Sequence, residues 1–126
     1  MKFTDSHEWI ELEEPPAEKP LAKVGVSKYA QKELGDIVYI ELPSVGKKVN
    51  AGQELAVLES TKAAADVYAP VSGIIKEVNT SLSTQPELVN QDPESRGWIA
   101  KIELEEPAEM DLLMDAQAYQ NMLNGA

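Results

Sequence analysis

Short apolar stretches recur along most of the chain, separated by stretches that contain proline or glycine. This spacing is typical of β-strands joined by turns. It predicts six strands, at residues 9–12, 21–26, 36–42, 54–60, 65–70 and 72–79. The first two form a hairpin, and their long connection, residues 13–20, carries three prolines and suits only an exposed position.

Two regions of the sequence carry helix signals. Ser27 can cap a short helix over residues 28–34, and Gly35 can end it in the left-handed conformation. A carboxy-terminal helical segment is predicted at about 107–124, because Pro107 suits a first helical position.

The carboxy-terminal segment contains a second start signal at Asp115, which can cap the residues that follow it. Apolar side chains recur along the segment, and we expect them to pack on the sheets. For its methionines, a surface for a partner protein is the alternative. The side chains are Ala116, Tyr119 and Leu123, together with Met110, Met114 and Met122.

The stretch ESTKAAAD, residues 59–66, places Lys62 among small side chains. Its alanines favour a helix, on which Lys62 would pair with Glu59 and Asp66. Predicted strands lie close on either side, however, and leave too little room for a helix of about 11 residues. We therefore predict a tight turn with Lys62 at its tip, where the side chain is accessible to a modifying enzyme. An ordinary surface lysine is the alternative.

Glycine and proline residues predict turns on both sides of Lys62. Gly46 and Gly52 precede it, and Pro70 and Gly73 follow it. This arrangement suggests two small sheets related by approximate symmetry about the Lys62 turn.

The composition excludes several classes of function. With 126 residues, 43% of them hydrophobic, the chain fits one folded domain over residues 1–126. No apolar stretch approaches the roughly 20 residues that span a bilayer. The net charge of −11 opposes binding to nucleic acid. The amino terminus lacks the features of a signal or transit peptide, so we expect a cytoplasmic location.

The residues available for chemistry are also few. The chain has no cysteine and a single histidine, His7. These counts exclude a disulfide framework, a thiolate nucleophile and a metal site built from cysteines or from several histidines. We expect His7 to be structural and no metal to be bound.

Six motifs resemble the H-protein family of the glycine cleavage system, in matching order and spacing across nearly the whole chain. They are SHEW, KYAQKELGDIVYIELPSVGKKVNAGQ, ESTKAAAD, APVSGIIKEVN, PELVNQDP and GWIAKI. The resemblance implies a mainly β fold, a barrel-sandwich hybrid of two small antiparallel sheets with short peripheral and carboxy-terminal helices.

The resemblance also implies a cofactor and the residues that present it. Lys62 matches the family lysine that carries lipoic acid in amide linkage. Glu59, Gly46 and Gly73 match positions associated with presenting that lysine to the lipoylating enzyme, a lipoate ligase or octanoyltransferase. For Gly73 we expect a turn that needs a positive φ angle.

A family member is a carrier in glycine catabolism and one-carbon metabolism, not an enzyme. Its implied partners are a pyridoxal-phosphate-dependent glycine decarboxylase, an aminomethyltransferase and a flavin-dependent dihydrolipoyl dehydrogenase. The first loads an aminomethyl group, the second passes the carbon to tetrahydrofolate, and the third reoxidises the dithiol. We expect the carrier to be a monomer.

Family members fold the loaded arm against a cleft in their own surface. The motif match places Ser6, Glu8 and Asp66 beside that arm, with the carboxylates receiving the cationic amine. For the two acids, ordinary solvated carboxylates are the alternative. We expect Trp9 to belong to the core or the cleft wall.

The chain departs from the family pattern at two places. Ala65 stands where serine is common, which removes a hydroxyl close to the arm, and the loop at 13–20 is longer than usual. Neither change displaces Lys62.

Three other functions share parts of this pattern. A biotin carrier would have methionines where Thr61 and Ala63 flank Lys62. A lipoyl domain of a 2-oxoacid dehydrogenase would have aspartate before the lysine and belong to a longer chain. The third, an H-like protein that relays lipoyl groups to other enzymes, is not separated from glycine cleavage by the sequence.

Overall fold

The protein folds into two antiparallel β-sheets with short helices around them, as a computed structural model shows for residues 1–13 and 19–125. In the larger sheet the strand order is β1 (Lys2–Phe3), β2 (Glu8–Leu12), β3 (Leu21–Val26), β9 (Ala100–Leu104), β8 (Gly73–Val78) and β5 (Lys48–Val49). The smaller sheet has the order β4 (Ile37–Glu41), β6 (Glu54–Ser60) and β7 (Ala64–Tyr68). The mainly β fold with two antiparallel sheets is therefore confirmed, although the sheets are unequal in size.

The helices are short and lie between strands or after the last one. They are α1 (Lys28–Leu34), α2 (Ser81–Thr84), α3 (Leu88–Gln91), a 3-10 helix (Pro107–Leu112) and α4 (Ala116–Leu123). No helix of the described residues is long and apolar enough to cross a membrane.

The predicted helix caps are confirmed. The Ser27 hydroxyl accepts a hydrogen bond from the Ala30 amide at 3.2 Å, and Gly35 ends α1 with φ of 79°. Asp115 caps α4 by accepting from the Ala118 amide at 2.8 Å. These local signals were readable because each depends on residues only a few positions apart.

All six predicted strands exist, as β2, β3, β4, β6, β7 and β8. Among the described residues, three strands and two helices were not predicted. The stretch at residues 46–53, which we interpreted as a turn, contains β5, and β9 lies in the middle of the larger sheet between β3 and β8. The two-residue strands β1 and β5 are too short to show a pattern. Of the predicted loop 13–20, residues 14–18 lie outside the described residues.

A main core of buried aliphatic side chains includes residues from both sheets. Its largest fully buried members include Ile10, Leu58, Ile75, Leu82 and Ile102. Burial of this apolar surface away from water is the main force that holds the sheets together.

A second, aromatic cluster ties the carboxy-terminal segment to the amino terminus. Phe3, Trp9 and Tyr119 form it, and Phe3 stacks on Tyr119 with ring centroids 4.4 Å apart. Trp9 is 1% exposed and donates its indole N–H to the Pro93 carbonyl at 2.8 Å, so its predicted place in the core is confirmed. The methionines also pack as predicted, Met110 on the main core and Met114 and Met122 on the aromatic cluster.

We predict that Tyr119→Phe flattens the loss of stability in alkali. Burial raises the pKa of the Tyr119 hydroxyl above its usual range near 10. The folded chain therefore holds this proton more tightly than the unfolded chain, and the resulting stability is complete below pH 10 and lost as the pH rises through the folded pKa. Urea unfolding at several pH values should show the stability difference between wild type and variant shrinking above pH 10. A difference that stays constant or grows with pH would contradict this account.

Candidate functional site

Lys62 lies at the tip of the hairpin formed by β6 and β7. The Ser60 amide donates to the Ala63 carbonyl at 2.8 Å, and the Ser60 hydroxyl accepts from the amides of Lys62 and Ala63, both at 3.1 Å. These bonds close a tight turn and leave the Lys62 side chain exposed. The predicted turn is therefore confirmed, and the helical alternative is wrong.

The hairpin tip lies on the turn that follows α1. The Thr61 amide donates to the Asp36 carbonyl at 3.1 Å. A Cβ atom on Gly35 would lie 3.4 Å from Cε of Lys62. That distance is ordinary van der Waals contact, so glycine is needed here for the positive φ angle, and the lysine stem passes directly beside it.

A cleft of about 360 Å³ lies along α1. The Lys62 side chain passes Gly35, at the carboxy-terminal end of this helix. The three residues predicted to contact a docked arm, Ser6, Glu8 and Asp66, all line this cleft, and so does Ala65. The remaining lining residues are His7, Val26, Tyr29, Ala30, Glu33, Leu34, Leu58 and Val67. The cleft thus brings together residues that are far apart in the sequence.

The two acids predicted to contact the arm, Glu8 and Asp66, differ in environment. Glu8 is 2% exposed and accepts hydrogen bonds from the hydroxyls of Thr4 at 2.6 Å and Ser6 at 2.5 Å, and from the Tyr68 amide at 3.2 Å. The solvated alternative is therefore wrong for Glu8. Asp66 is exposed, and within the described part of the chain its carboxylate makes no hydrogen bond or ion pair.

His7 belongs to the cleft wall and also to the structural frame behind it. Its φ angle of 74° is in the left-handed region, which is uncommon for a residue with a side chain. Its Nδ1 atom lies 2.8 Å from the Tyr119 hydroxyl, which is in turn 2.7 Å from the Ser27 hydroxyl. These contacts agree with the structural role expected for His7.

Sequence reasoning missed the contribution of α1 to the cleft. Tyr29 and Glu33, and likewise Ala30 and Leu34, are four residues apart and so share a helix face. This spacing can be seen in the sequence, but the sequence does not show which part of the fold lies opposite that helix face.

Of the residues predicted to present Lys62, Glu59 lies beside it on the hairpin, whereas Gly46 and Gly73 lie with the larger sheet. Glu59 is exposed on β6 and pairs with Ala64 across the hairpin. Gly46 has φ of 91° in the turn before β5, and its amide donates to the Ile75 carbonyl at 2.7 Å. Gly73 is buried at the start of β8, paired with Val49 and Leu104 in the other sheet.

The predicted reason for glycine at position 73 is wrong. The described glycines with positive φ are Gly35, Gly46, Gly52 and Gly125, and Gly73 is not among them. A Cβ at Gly73 would instead lie 2.1 Å from the Glu103 carbonyl oxygen of β9. Close approach of a neighbouring strand, not turn geometry, requires glycine here.

The sheet that carries Lys62 is acidic. Within β4, β6 and β7 the charged residues are Glu41, Glu54, Glu59 and Asp66, and all four are exposed. In the described part of the chain, no three histidine, aspartate or glutamate side chains are grouped so that they could hold a metal ion.

Comparison with known proteins identifies the family. A sequence model of the glycine cleavage H-protein family matches residues 1–126. The chain belongs to the glycine cleavage H-protein family. It is 52% identical over 123 residues to the glycine cleavage system H protein of Caulobacter vibrioides, covering 98% of each chain. It is 50% identical over 119 residues to that of Thermotoga maritima, covering 94% of this chain and 92% of the relative.

A solved H-protein structure has the same fold. The crystal structure of a glycine cleavage system H protein from Mycobacterium marinum superposes with a TM-score of 0.86 at 35% identity. The match covers 99% of this chain and 96% of that one. Both the sequence and the fold of this chain therefore match those of the family.

We predict that Gly73→Ala destabilises the fold far more than Gly46→Ala. The first places a methyl group against the β9 backbone, which cannot move aside, and should cost about 3 kcal/mol or more. The second meets no atom within 4 Å and strains only φ, at about 1 to 2 kcal/mol. Urea unfolding of both variants measures the difference. Equal losses would show that the close approach at Gly73 is not what requires glycine.

Proposed function

We propose that this H-protein family member carries a lipoyl group in amide linkage on Lys62 and serves the glycine cleavage system as a carrier. The observation that carries the proposal is the exposed lysine at a hairpin tip, next to a cleft on the same chain. When bound, the lipoyl dithiolane supplies a disulfide on a flexible tether, which can accept electrons and a one-carbon group.

The residues around Lys62 suit such a group. The lysine stem passes Gly35 at the carboxy-terminal end of α1. From there α1 extends about 10 Å, at 1.5 Å per residue, along one wall of the cleft. The cleft contains apolar side chains, among them Val26, Leu34 and Leu58, that can exclude water from an arm laid along it.

Glu8 and Asp66 have different roles in this proposal. The buried carboxylate of Glu8 is held by Thr4, Ser6 and Tyr68 and supplies a fixed negative charge. The carboxylate of Asp66 is free to rotate toward a cationic amine on the docked arm and to bind it with a charge-assisted hydrogen bond. Ala65 offers no hydroxyl beside it, so the polar contact that β7 offers to the arm comes from Asp66.

The proposed partners act on the exposed end of the arm. A pyridoxal-phosphate-dependent glycine decarboxylase supplies the aminomethyl group, an aminomethyltransferase removes its carbon, and dihydrolipoyl dehydrogenase restores the disulfide. Tethering the cargo to one carrier makes each encounter effectively concentrated without permanent binding. The acidic sheet below Lys62 favours partners with basic docking surfaces.

Lipoylation in vitro with a lipoate ligase should modify one lysine, Lys62, as shown by intact-mass and peptide analysis. Lys62→Ala should remain folded to within about 0.5 kcal/mol, because an exposed turn side chain contributes little to stability, and should accept no lipoyl group. Glu59→Ala should be modified more slowly, since it removes a charge near the target. Modification at another lysine, or biotin on Lys62, would contradict the proposal.

Asp66→Asn should shorten the lifetime of the aminomethyl cargo on the lipoylated carrier. A charge-assisted hydrogen bond is worth about 1.5 to 3 kcal/mol and less at an exposed site, so we expect a several-fold effect. Glu8→Gln should act in the same direction, with its stability checked separately because Glu8 is buried.

Asp111→Asn provides the matched control for this experiment, because Asp111 is an exposed acid on the 3-10 helix and does not line the cleft. Its cargo lifetime should equal that of the wild type. If the Asp66 variant also matched the wild type, the arm would not dock against this acid.

A further inference from the structure

Asn90 contacts the turn that supports the Lys62 hairpin, although it lies on α3 in the PELVNQDP motif. Its Nδ2 amide donates to the Gly35 carbonyl at 2.8 Å. Its Oδ1 atom accepts from the Ile37 amide, also at 2.8 Å. One side chain therefore holds both ends of the three-residue turn 35–37.

Two residues of this turn, Gly35 and Asp36, contact the hairpin. The Asp36 carbonyl accepts the Thr61 amide at 3.1 Å, and Gly35 lies under the stem of Lys62. The remaining hydrogen bonds of the tip run from Ser60 to Lys62 and Ala63, within the hairpin itself. The turn 35–37 is thus the external support of the tip, and Asn90 sets the position of that turn.

We propose that Asn90 is a positioning residue that fixes the root of the Lys62 arm over Gly35, so that the arm enters the cleft along α1. This inference depends on the proposed function at one point only, namely that Lys62 carries the lipoyl group. The side-chain amide suits the task because it offers a donor and an acceptor at once. Removing it leaves the Gly35 carbonyl and the Ile37 amide without this partner, and the turn can then shift away from Thr61.

Amide hydrogen exchange in the unmodified protein tests the first part of the proposal. In Asn90→Ala the protection of the Thr61 amide should fall about tenfold relative to the amide of the buried Ile75, which bonds to the Lys47 carbonyl at 2.9 Å. A Thr61 amide that is unprotected in the wild type, or that changes only in step with Ile75, would overturn the proposal.

Asn79→Ala is the matched control. The Asn79 side chain also makes two hydrogen bonds to backbone, donating to the carbonyls of Arg96 at 2.9 Å and Trp98 at 2.8 Å. Its removal should lower the stability of the fold but leave the protection of the Thr61 amide unchanged relative to that of Ile75. An equal relative loss at Thr61 in both variants would mean that any lost side-chain amide loosens the tip, and the positioning role would be wrong.

Asn90→Asp gives a second, pH-dependent test. A carboxylate can accept from the Ile37 amide but cannot donate to the Gly35 carbonyl, whereas a protonated carboxyl can do both. Thr61 protection should therefore be low at pH 7 and recover as the introduced carboxyl protonates, while Asn90→Ala shows no such recovery. Identical pH responses of the two variants would overturn the proposal.

The lipoylated variants test whether the support of the tip matters to the arm. The aminomethyl cargo should be lost several-fold faster from Asn90→Ala than from Asn79→Ala or wild type. Faster Thr61 exchange with an unchanged cargo lifetime would overturn the role in positioning the arm. If instead Lys62 accepted no lipoyl group in the wild type, the proposed function would fail, while the exchange data would still decide whether Asn90 supports the hairpin.

Discussion

The carboxylate of Glu8 is buried between the two sheets and connects them. Glu8 belongs to β2 in the larger sheet, and it accepts a hydrogen bond from the Tyr68 amide of β7 in the smaller one. A buried charge is very unfavourable unless its oxygens are hydrogen-bonded, so the hydroxyls of Thr4 and Ser6 are needed as donors. The turn before β2 must therefore bring both hydroxyls to the carboxylate. The left-handed backbone of His7 is part of that turn.

The turn that holds Glu8 also forms one wall of the cleft, and α1 forms another. They are joined behind the cleft by the Tyr119 hydroxyl, which contacts His7 on one side and the helix cap Ser27 on the other. Because buried hydrogen bonds set both walls, the cleft is formed in the unmodified chain and does not need the arm to shape it.

The features that could be predicted from the sequence depend on neighbouring residues. The Ser27 cap, the Gly35 stop and the tight turn at Lys62 each follow from a few adjacent positions. Strand β9 was missed although Ala100, Ile102 and Leu104 alternate as buried residues, because a five-residue pattern near the end of the chain gave no sign of its two partners.

What escaped prediction depends on residues far apart in the chain. Glycine at position 73 is required by the backbone of β9 some thirty residues later, as the approach of Glu103 shows, and a single sequence carries no record of that approach. The burial of Glu8 likewise depends on Tyr68. The family resemblance brought Ser6, Glu8 and Asp66 together, whereas nothing in the residues themselves would have done so.

Acylation of Lys62 would change the electrostatics of the acidic smaller sheet. The charged side chains of its three strands are all carboxylates. The ammonium group of the free Lys62 is the cation at the hairpin tip. An amide bond to that nitrogen removes the positive charge and leaves the carboxylates without it. The electrostatic potential at the tip would then be more negative in the acylated chain than in the free one, so ionic strength should influence the two forms unequally when they approach the same basic surface.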